Sequence, residues 1–301
     1  MSFTYYLSLV SIILEVIFVL LYFGFVKVFA KKNIWHPNFK YCMFIFLTAI
    51  LLMAVSNFLK FSQIFFRYLQ LDEYPNYINS LIDVLRGSFH NVLRYSLFQL
   101  IFERYYAMKY RKKYENEKHL LVISLLLAVF VFLSFTIRIL LLANIIQSLY
   151  YSFITSLTDI PMPIFFFLWI LESRRLARTN ETMKSSLSQK YTIKENNLLL
   201  TLLKPMIVIF IISEFATDIN LIFIKVFLHL FNTKVASILI SVVRDSSLIT
   251  GLIVFLLKHR KNGKKIIFVK PKFYTNTSTS QKIIQKQVET DEYFKRTTAA
   301  W

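Results

Sequence analysis

Seven stretches of this sequence are long and apolar enough to cross a lipid bilayer, and that pattern constrains the chain more than any other feature. A membrane-crossing helix needs about 20 mostly apolar residues. Such runs extend from about Tyr5 to Phe29, Tyr41 to Phe66, Leu81 to Met108, Leu120 to Leu142, Ser148 to Leu171, Leu202 to Leu230 and Val235 to Leu257. The third is the most polar. The expected fold is therefore an all-α polytopic membrane protein, a seven-transmembrane-helix bundle over residues 1–272. Residues 273–301, with Thr275 to Ser280 reading TNTSTS, form a polar tail too poor in apolar side chains to fold alone. The first run is expected to be retained rather than cleaved. No basic residue precedes it, and it ends in Lys27, Lys31 and Lys32 without a small-residue cleavage site.

Composition agrees. The 301 residues are 56% hydrophobic and 18% charged, whereas an average soluble domain is about 45–50% apolar and about 25% charged. An ordinary soluble enzyme would lack the polar surface to cover such a core. Lys and Arg number 36 against 17 Asp and Glu, a net charge of +19. On a soluble protein that excess would point to nucleic acid. Here the basic residues lie between apolar runs, so the expected contact is with membrane lipids and not nucleic acid. The single cysteine, Cys42, excludes an intrachain disulfide.

The basic residues also orient the chain. The segments after the first, third, fifth and seventh runs carry 24 Lys and Arg residues, and the alternate segments carry only Arg67, Arg86, Arg138, Lys225 and Lys234. By the positive-inside rule the amino terminus lies outside and the carboxyl terminus in the cytoplasm. An odd number of spans is what lets the basic segments alternate in this way.

Charges inside the runs are the candidate functional groups. Glu15, His90, Arg94, Asp159, Glu214, Asp218, Arg244 and Asp245 all fall there. Each costs at least about 2.5–3.5 kcal/mol at mid-bilayer on insertion scales, so partners are expected. Arg86, His90 and Arg94 are spaced i, i+4, i+8 and share one face of the third helix; Glu214 and Asp218 share a face of the sixth. A basic face opposite an acidic face is the economical arrangement. It serves either as an ion-pair network that fixes helix rotation or as the border of a ligand cavity, for which Arg86, His90, Arg94, Asp159 and Asp218 are the candidates. Asp159 precedes Pro161-Met162-Pro163, and those prolines predict a kink in the fifth span.

The third run ends Glu103-Arg104-Tyr105-Tyr106-Ala107. Arg104 is either a first positive-inside residue that snorkels to the interface or a switch, paired at rest and released when helices separate. No catalytic or metal site is expected. The five histidines lack paired ligand spacing, no Gly-x-Ser-x-Gly element occurs, and four glycines are too few for a phosphate-cradling loop. No cofactor is implied. The alternative to a membrane protein with such a switch is a transporter or ligand-gated channel. It would use the buried charges equally well, but the chain shows no internal repeat.

Two elements resemble a known family. Glu103-Arg104-Tyr105-Tyr106-Ala107, followed by Lys113-Tyr114-Glu115, is similar to the second-loop signature of nematode serpentine chemoreceptors. Leu187-Ser188-Gln189-Lys190-Tyr191-Thr192-Ile193-Lys194-Glu195-Asn196 resembles the Leu-Ser-x-Arg-Tyr-Gln-x-x-Glu-Asn element of the Sra superfamily, departing at Lys190 and Thr192. Class Sre is the most similar. The resemblance implies a rhodopsin-like receptor in the plasma membrane of ciliated sensory neurons. It would bind an unknown small-molecule or peptide ligand outside and engage a heterotrimeric G protein inside. It further implies that Glu103, Arg104, Tyr105, Tyr191, Glu195 and Asn196 serve coupling, with Glu195 and Asn196 capping or anchoring the inner end of the sixth helix. The cysteine bridge and the Asn-Pro-x-x-Tyr and Trp-x-Pro elements of vertebrate rhodopsin-like receptors are absent.

Overall fold

A computed structural model describes residues 3–30, 36–69, 76–110, 114, 119–180, 187–227 and 233–266. Among them are eight helices and no strand. They are α1 (Phe3–Ala30), α2 (Pro37–Tyr68), α3 (Asn76–Lys109), α4 (Leu120–Leu142), α5 (Ser148–Asp159), α6 (Pro161–Asn180), α7 (Leu187–Phe227) and α8 (Thr233–Ile266). The tail expected over 273–301 lies outside the described residues.

Burial is inverted relative to a water-soluble protein. Leu121 is 73% exposed, Phe132 70%, Leu20 67% and Phe44 66%, while Glu15, Arg94, Glu214, Asp218 and Asp245 are buried. In water the apolar shell would be an aggregating surface. In hydrocarbon it costs nothing, and the charges must turn inward. Six of the described helical segments are long and apolar enough to cross a membrane by length and composition. The third run falls short on composition because it carries more polar and charged residues, His90, Arg94, Glu103 and Arg104 among them facing the core. Its 34 residues still make a rod about 51 Å long at 1.5 Å per residue.

The helices close into a ring. α1 packs on α2 and α8, α2 on α3, and α7 on α8, α5 and α6. α3 sits centrally, touching α2, α4, α6 and α7. The joint of α5 and α6 follows from the prolines. The backbone stays helical through Ile160 (φ −55°, ψ −42°), but Pro161 and Pro163 have no N–H to donate and interrupt the ladder there. Asp159 sits at that interruption.

The termini obey local chemistry. Pro37 opens α2, where its missing N–H is no loss, and His36 Nδ1 accepts a hydrogen bond from the Asn38 N–H at 3.3 Å. α4 ends in a Schellman turn. Asn144 takes φ 56°, its N–H bonds the Leu141 carbonyl at 3.1 Å, and the Ile145 N–H bonds the Leu140 carbonyl at 3.0 Å. Asn tolerates that left-handed position better than most residues with a Cβ.

α7 corrects the sequence-based expectation most. It is 41 residues long and contains Pro205. Glu195 and Asn196 therefore lie more than two turns inside it rather than at its first turn. The family-like element that reads as a loop is helical from Leu187 onward.

Candidate functional site

Two buried polar assemblies stand about 15 Å apart along α3, judged from the ten residues between Arg94 and Arg104. The first surrounds Arg104, which is 1% exposed. Its guanidinium pairs with its own neighbour, Nε to Glu103 Oε2 at 2.6 Å and Nη2 to Glu103 Oε1 at 2.7 Å. Nη2 also donates to Tyr114 Oη at 2.8 Å, and the Tyr114 hydroxyl donates to Glu103. Above the plane lies Phe39 of α2, its ring centre 4.3 Å from Cζ, a cation–π contact. The remaining arm crosses the bundle: Nη1 donates to Asn196 Oδ1 of α7 at 3.2 Å. Arg104 therefore does not snorkel to the interface. It ties α3 to α7 while its charge is neutralised locally.

Tyr105 takes no part in this cluster. Its ring meets Phe165 of α6 edge-on at 5.6 Å. On its other side Lys109 Nζ lies 5.5 Å from the ring centre. The side chains of Tyr191 and Glu195 lie outside the described residues.

The second assembly is a continuous chain of buried groups. Arg94 is its hub, with Nε on Glu214 Oε2 at 2.6 Å, Nη2 on Asp218 Oδ1 at 2.8 Å and Nη1 on Asp218 Oδ2 at 3.2 Å. Nη1 also lies 3.3 Å from Asp159 Oδ2, an ion-pair distance not aligned as a hydrogen bond. His90 Nε2 meets Glu214 Oε2 at 3.0 Å, and His90 Nδ1 faces Arg244 Nη1 at 3.3 Å. Arg244 lies against its neighbour Asp245 at 3.4 Å. Asn57 of α2 then donates to Glu15 Oε1 of α1 at 2.8 Å and to Asp245 Oδ1 at 3.5 Å.

The structure thus brings His90 and Arg94 of α3 against Glu214 and Asp218 of α7, with Asp159 of α5 beside them. Arg86 turns elsewhere. Its Nε donates to Asn57 Oδ1 at 2.8 Å and its Nη2 to Ser241 Oγ of α8 at 2.5 Å. One helical face consequently serves two partners.

The ledger of charges in this network is uneven. Five carboxyl groups (Glu15, Asp159, Glu214, Asp218 and Asp245) face three guanidiniums (Arg86, Arg94 and Arg244) and one imidazole. Glu15 Oε2, Asp159 Oδ2, Glu214 Oε1 and Asp245 Oδ2 are buried without a hydrogen-bond partner among the described residues. Buried acceptors without donors cost free energy. This network can therefore accept further donors, whereas Arg104 and Glu103 satisfy one another through paired hydrogen bonds. Among the described residues no group of His, Cys, Asp and Glu is arranged to hold a metal ion.

Residues 76–301, from the first residue of α3 onward, match the Sre G protein-coupled chemoreceptor family. The chain belongs to this family. Both elements that resemble serpentine receptors, Glu103–Ala107 and Leu187–Asn196, fall within the matched residues. No curated protein matches the chain. As a member of the Sre family it is an integral membrane protein of the chemosensory receptor class, and its helical bundle is that of such a receptor.

Three participants in this Sre receptor were not singled out for a site by the sequence alone. Asn57 bridges α1, α2, α3 and α8, and its one signal is a lone amide within the apolar run Leu51 to Leu59. Tyr114 completes the Arg104 cluster; its signal is its place in the family-like loop element. Arg138 of α4 counted only as a basic residue on the less basic side of the membrane, yet it packs into the bundle against Gly87.

Proposed function

We propose that this Sre receptor binds a chemical cue at the end of the bundle remote from Arg104 and activates a cytoplasmic heterotrimeric G protein at the Arg104 end. The observation that carries this reading is the hydrogen bond from Arg104 to Asn196. It is a bond by which the Glu103–Arg104–Tyr114 cluster holds α7 against α3, and separating the two helices breaks it while Arg104 keeps its pair with Glu103. Such an element has two low-energy arrangements, which is what a switch requires. The basic segments at that end support a cytoplasmic position by the positive-inside rule, with the amino terminus extracellular; membership in a chemosensory family supports a place in the plasma membrane of a sensory cilium.

Arg86, His90, Arg94, Asp159 and Asp218 are the ligand-side groups in this reading. A ligand that donates to the carboxylate oxygens lacking partners would redistribute the Arg94 pairs between α3, α5 and α7. The change would then reach Arg104 along α3 and α7. Glu103, Arg104, Tyr105, Tyr191, Glu195 and Asn196 form the coupling side. Residues 1–272 act as one receptor unit and 273–301 as a cytoplasmic tail.

The test is a G-protein activation assay on cells expressing the receptor, first screened against a library of water-soluble and volatile chemicals. Arg104→Ala should change signalling while surface level stays the same. Unchanged signalling at equal surface level would remove Arg104 from the switch. An epitope at the amino terminus should bind antibody on intact cells, and one at Trp301 only after permeabilisation. The reverse result would invert the receptor and reject this reading.

A further inference from the structure

Arg138 is a charged side chain that the fold accommodates without an ion pair among the described residues. It lies near the carboxyl-terminal end of α4, the end remote from Arg104. Its guanidinium does not run along its own helix toward the lipid headgroups, as a snorkelling arginine does. It crosses sideways to α3, into space left by Gly87. A Cβ at Gly87 would lie 2.7 Å from Arg138 Cδ and closer still to Nε and Cζ, so no larger residue fits while the guanidinium is there. On its other side it stacks on the ring of Tyr151 of α5, with Cζ 4.4 Å from the centroid. That ring is held in place, because the Tyr151 hydroxyl donates to Asn91 Oδ1 of α3 at 3.1 Å.

The cradle therefore fixes the guanidinium by shape and by cation–π contact, and no described residue accepts a hydrogen bond from its Nε. Arg138 Nε is buried without a hydrogen-bond partner. Arg86, Arg94, Arg104 and Arg244, in contrast, each reach oxygen or nitrogen acceptors within the bundle. A guanidinium drawn partly out of water without a counter-charge is destabilising. Its planar fork of donors matches a carboxylate or sulfate.

We propose that Arg138, seated in the notch at Gly87 and on the face of Tyr151, is the subsite for an anionic group, a carboxylate or sulfate, on a water-borne ligand of this receptor. The inference rests on the ligand-side reading above and names the chemistry of one end of the ligand. Tyr151 and Asn91 connect this subsite to the α3 face that carries His90 and Arg94. An anion drawn to Arg138 would pull α4 and α5 toward α3 beside the charge network.

The test uses the full chain in phosphatidylcholine nanodiscs, with octanoate as the anionic probe and methyl octanoate as its uncharged counterpart. Octanoate should raise the thermal unfolding midpoint of the receptor, and methyl octanoate should not. Arg138→Met should weaken the half-saturating octanoate concentration about tenfold to a hundredfold, as expected for losing a charge-assisted hydrogen bond. Arg138→Lys should keep part of the effect. Without probe, Arg138→Met should unfold no earlier than the parent, since it removes an unpaired charge.

A lower probe-free midpoint in Arg138→Met, or a variant that no longer folds, would make the guanidinium a structural strut and overturn the proposal. Equal protection by octanoate in parent and Arg138→Met would overturn it as well. So would protection that comes only from adding phosphatidylglycerol to the nanodisc, because the anion would then be a lipid headgroup. The readout is binding and not signalling. A receptor that activates no G protein, yet shows the Arg138-dependent octanoate shift, would refute the proposed coupling and leave this subsite standing.

Discussion

The two polar assemblies of this receptor are built on opposite principles. Among the described residues the counter-charge of Arg104 is its neighbour, Glu103, and a hydrogen bond to Asn196 reaches α7. Around Arg94 every counter-charge is distant in sequence: Asp159, Glu214 and Asp218 all arrive from other helices. A locally neutralised charge can lose its interhelical partner cheaply. A charge neutralised only by other helices cannot, because separation strands carboxylates in a low-dielectric interior. The first arrangement suits a latch and the second suits a key that fixes helix rotation.

The sharpest way to break this comparison is at the hub. Arg94→Met leaves Glu214, Asp218 and Asp159 without their shared guanidinium and should cost about 3–5 kcal/mol, the usual penalty for halving a buried ion pair. Loss of folded receptor from the cell surface, or a collapsed unfolding midpoint in detergent, would register it. A variant as stable as the parent would mean that the network is not structural.

Next comes Asn57→Ala. It removes the donor to Glu15 and the acceptor for Arg86, and each group stranded costs about 1–3 kcal/mol. Thermal unfolding should show a clear loss, smaller than that of Arg94→Met. Equality of the two would remove the hub from Arg94.

At the latch the expected effect is on signalling rather than folding. Asn196→Ala deletes one interhelical hydrogen bond, a contact worth about 0.6 kcal/mol on average inside membranes. Ligand-independent G-protein activation should therefore rise about threefold, with surface level unchanged. A large stability loss would show that Asn196 belongs with the structural class.

The smallest effect is expected at Arg175, which meets Glu172 one turn away at 3.5 Å and is 76% exposed at its side chain. Arg175→Ala should shift stability by no more than about 0.5 kcal/mol. It calibrates what a charge contributes when water can replace its partner.

The sequence revealed the membrane class, the all-helical bundle and the family because these depend on local quantities. Run length, hydropathy and the Glu103–Ala107 element are all contained in short windows. Helical periodicity also put Arg86, His90 and Arg94 on one face. It could not say that Arg86 departs toward Asn57 and Ser241 while His90 and Arg94 meet α7, because that choice depends on which helix passes at each height.

The same limit explains α7. Polarity marks Leu187–Asn196 as outside the hydrocarbon, but a helix continues beyond a membrane whenever another element packs against it. Only the meeting of Asn196 with Arg104 showed that it does so here. Arg138 is the extreme case. As a residue in a sequence it is one more basic charge near the end of an apolar run. Its role is set by a glycine 51 positions earlier, through a shape that exists only once α3 and α4 are packed. Hydrophobicity and periodicity act along the chain and can be read there. Pairing between buried charges acts across helices at distances of a few ångströms, so the tertiary arrangement alone decides it.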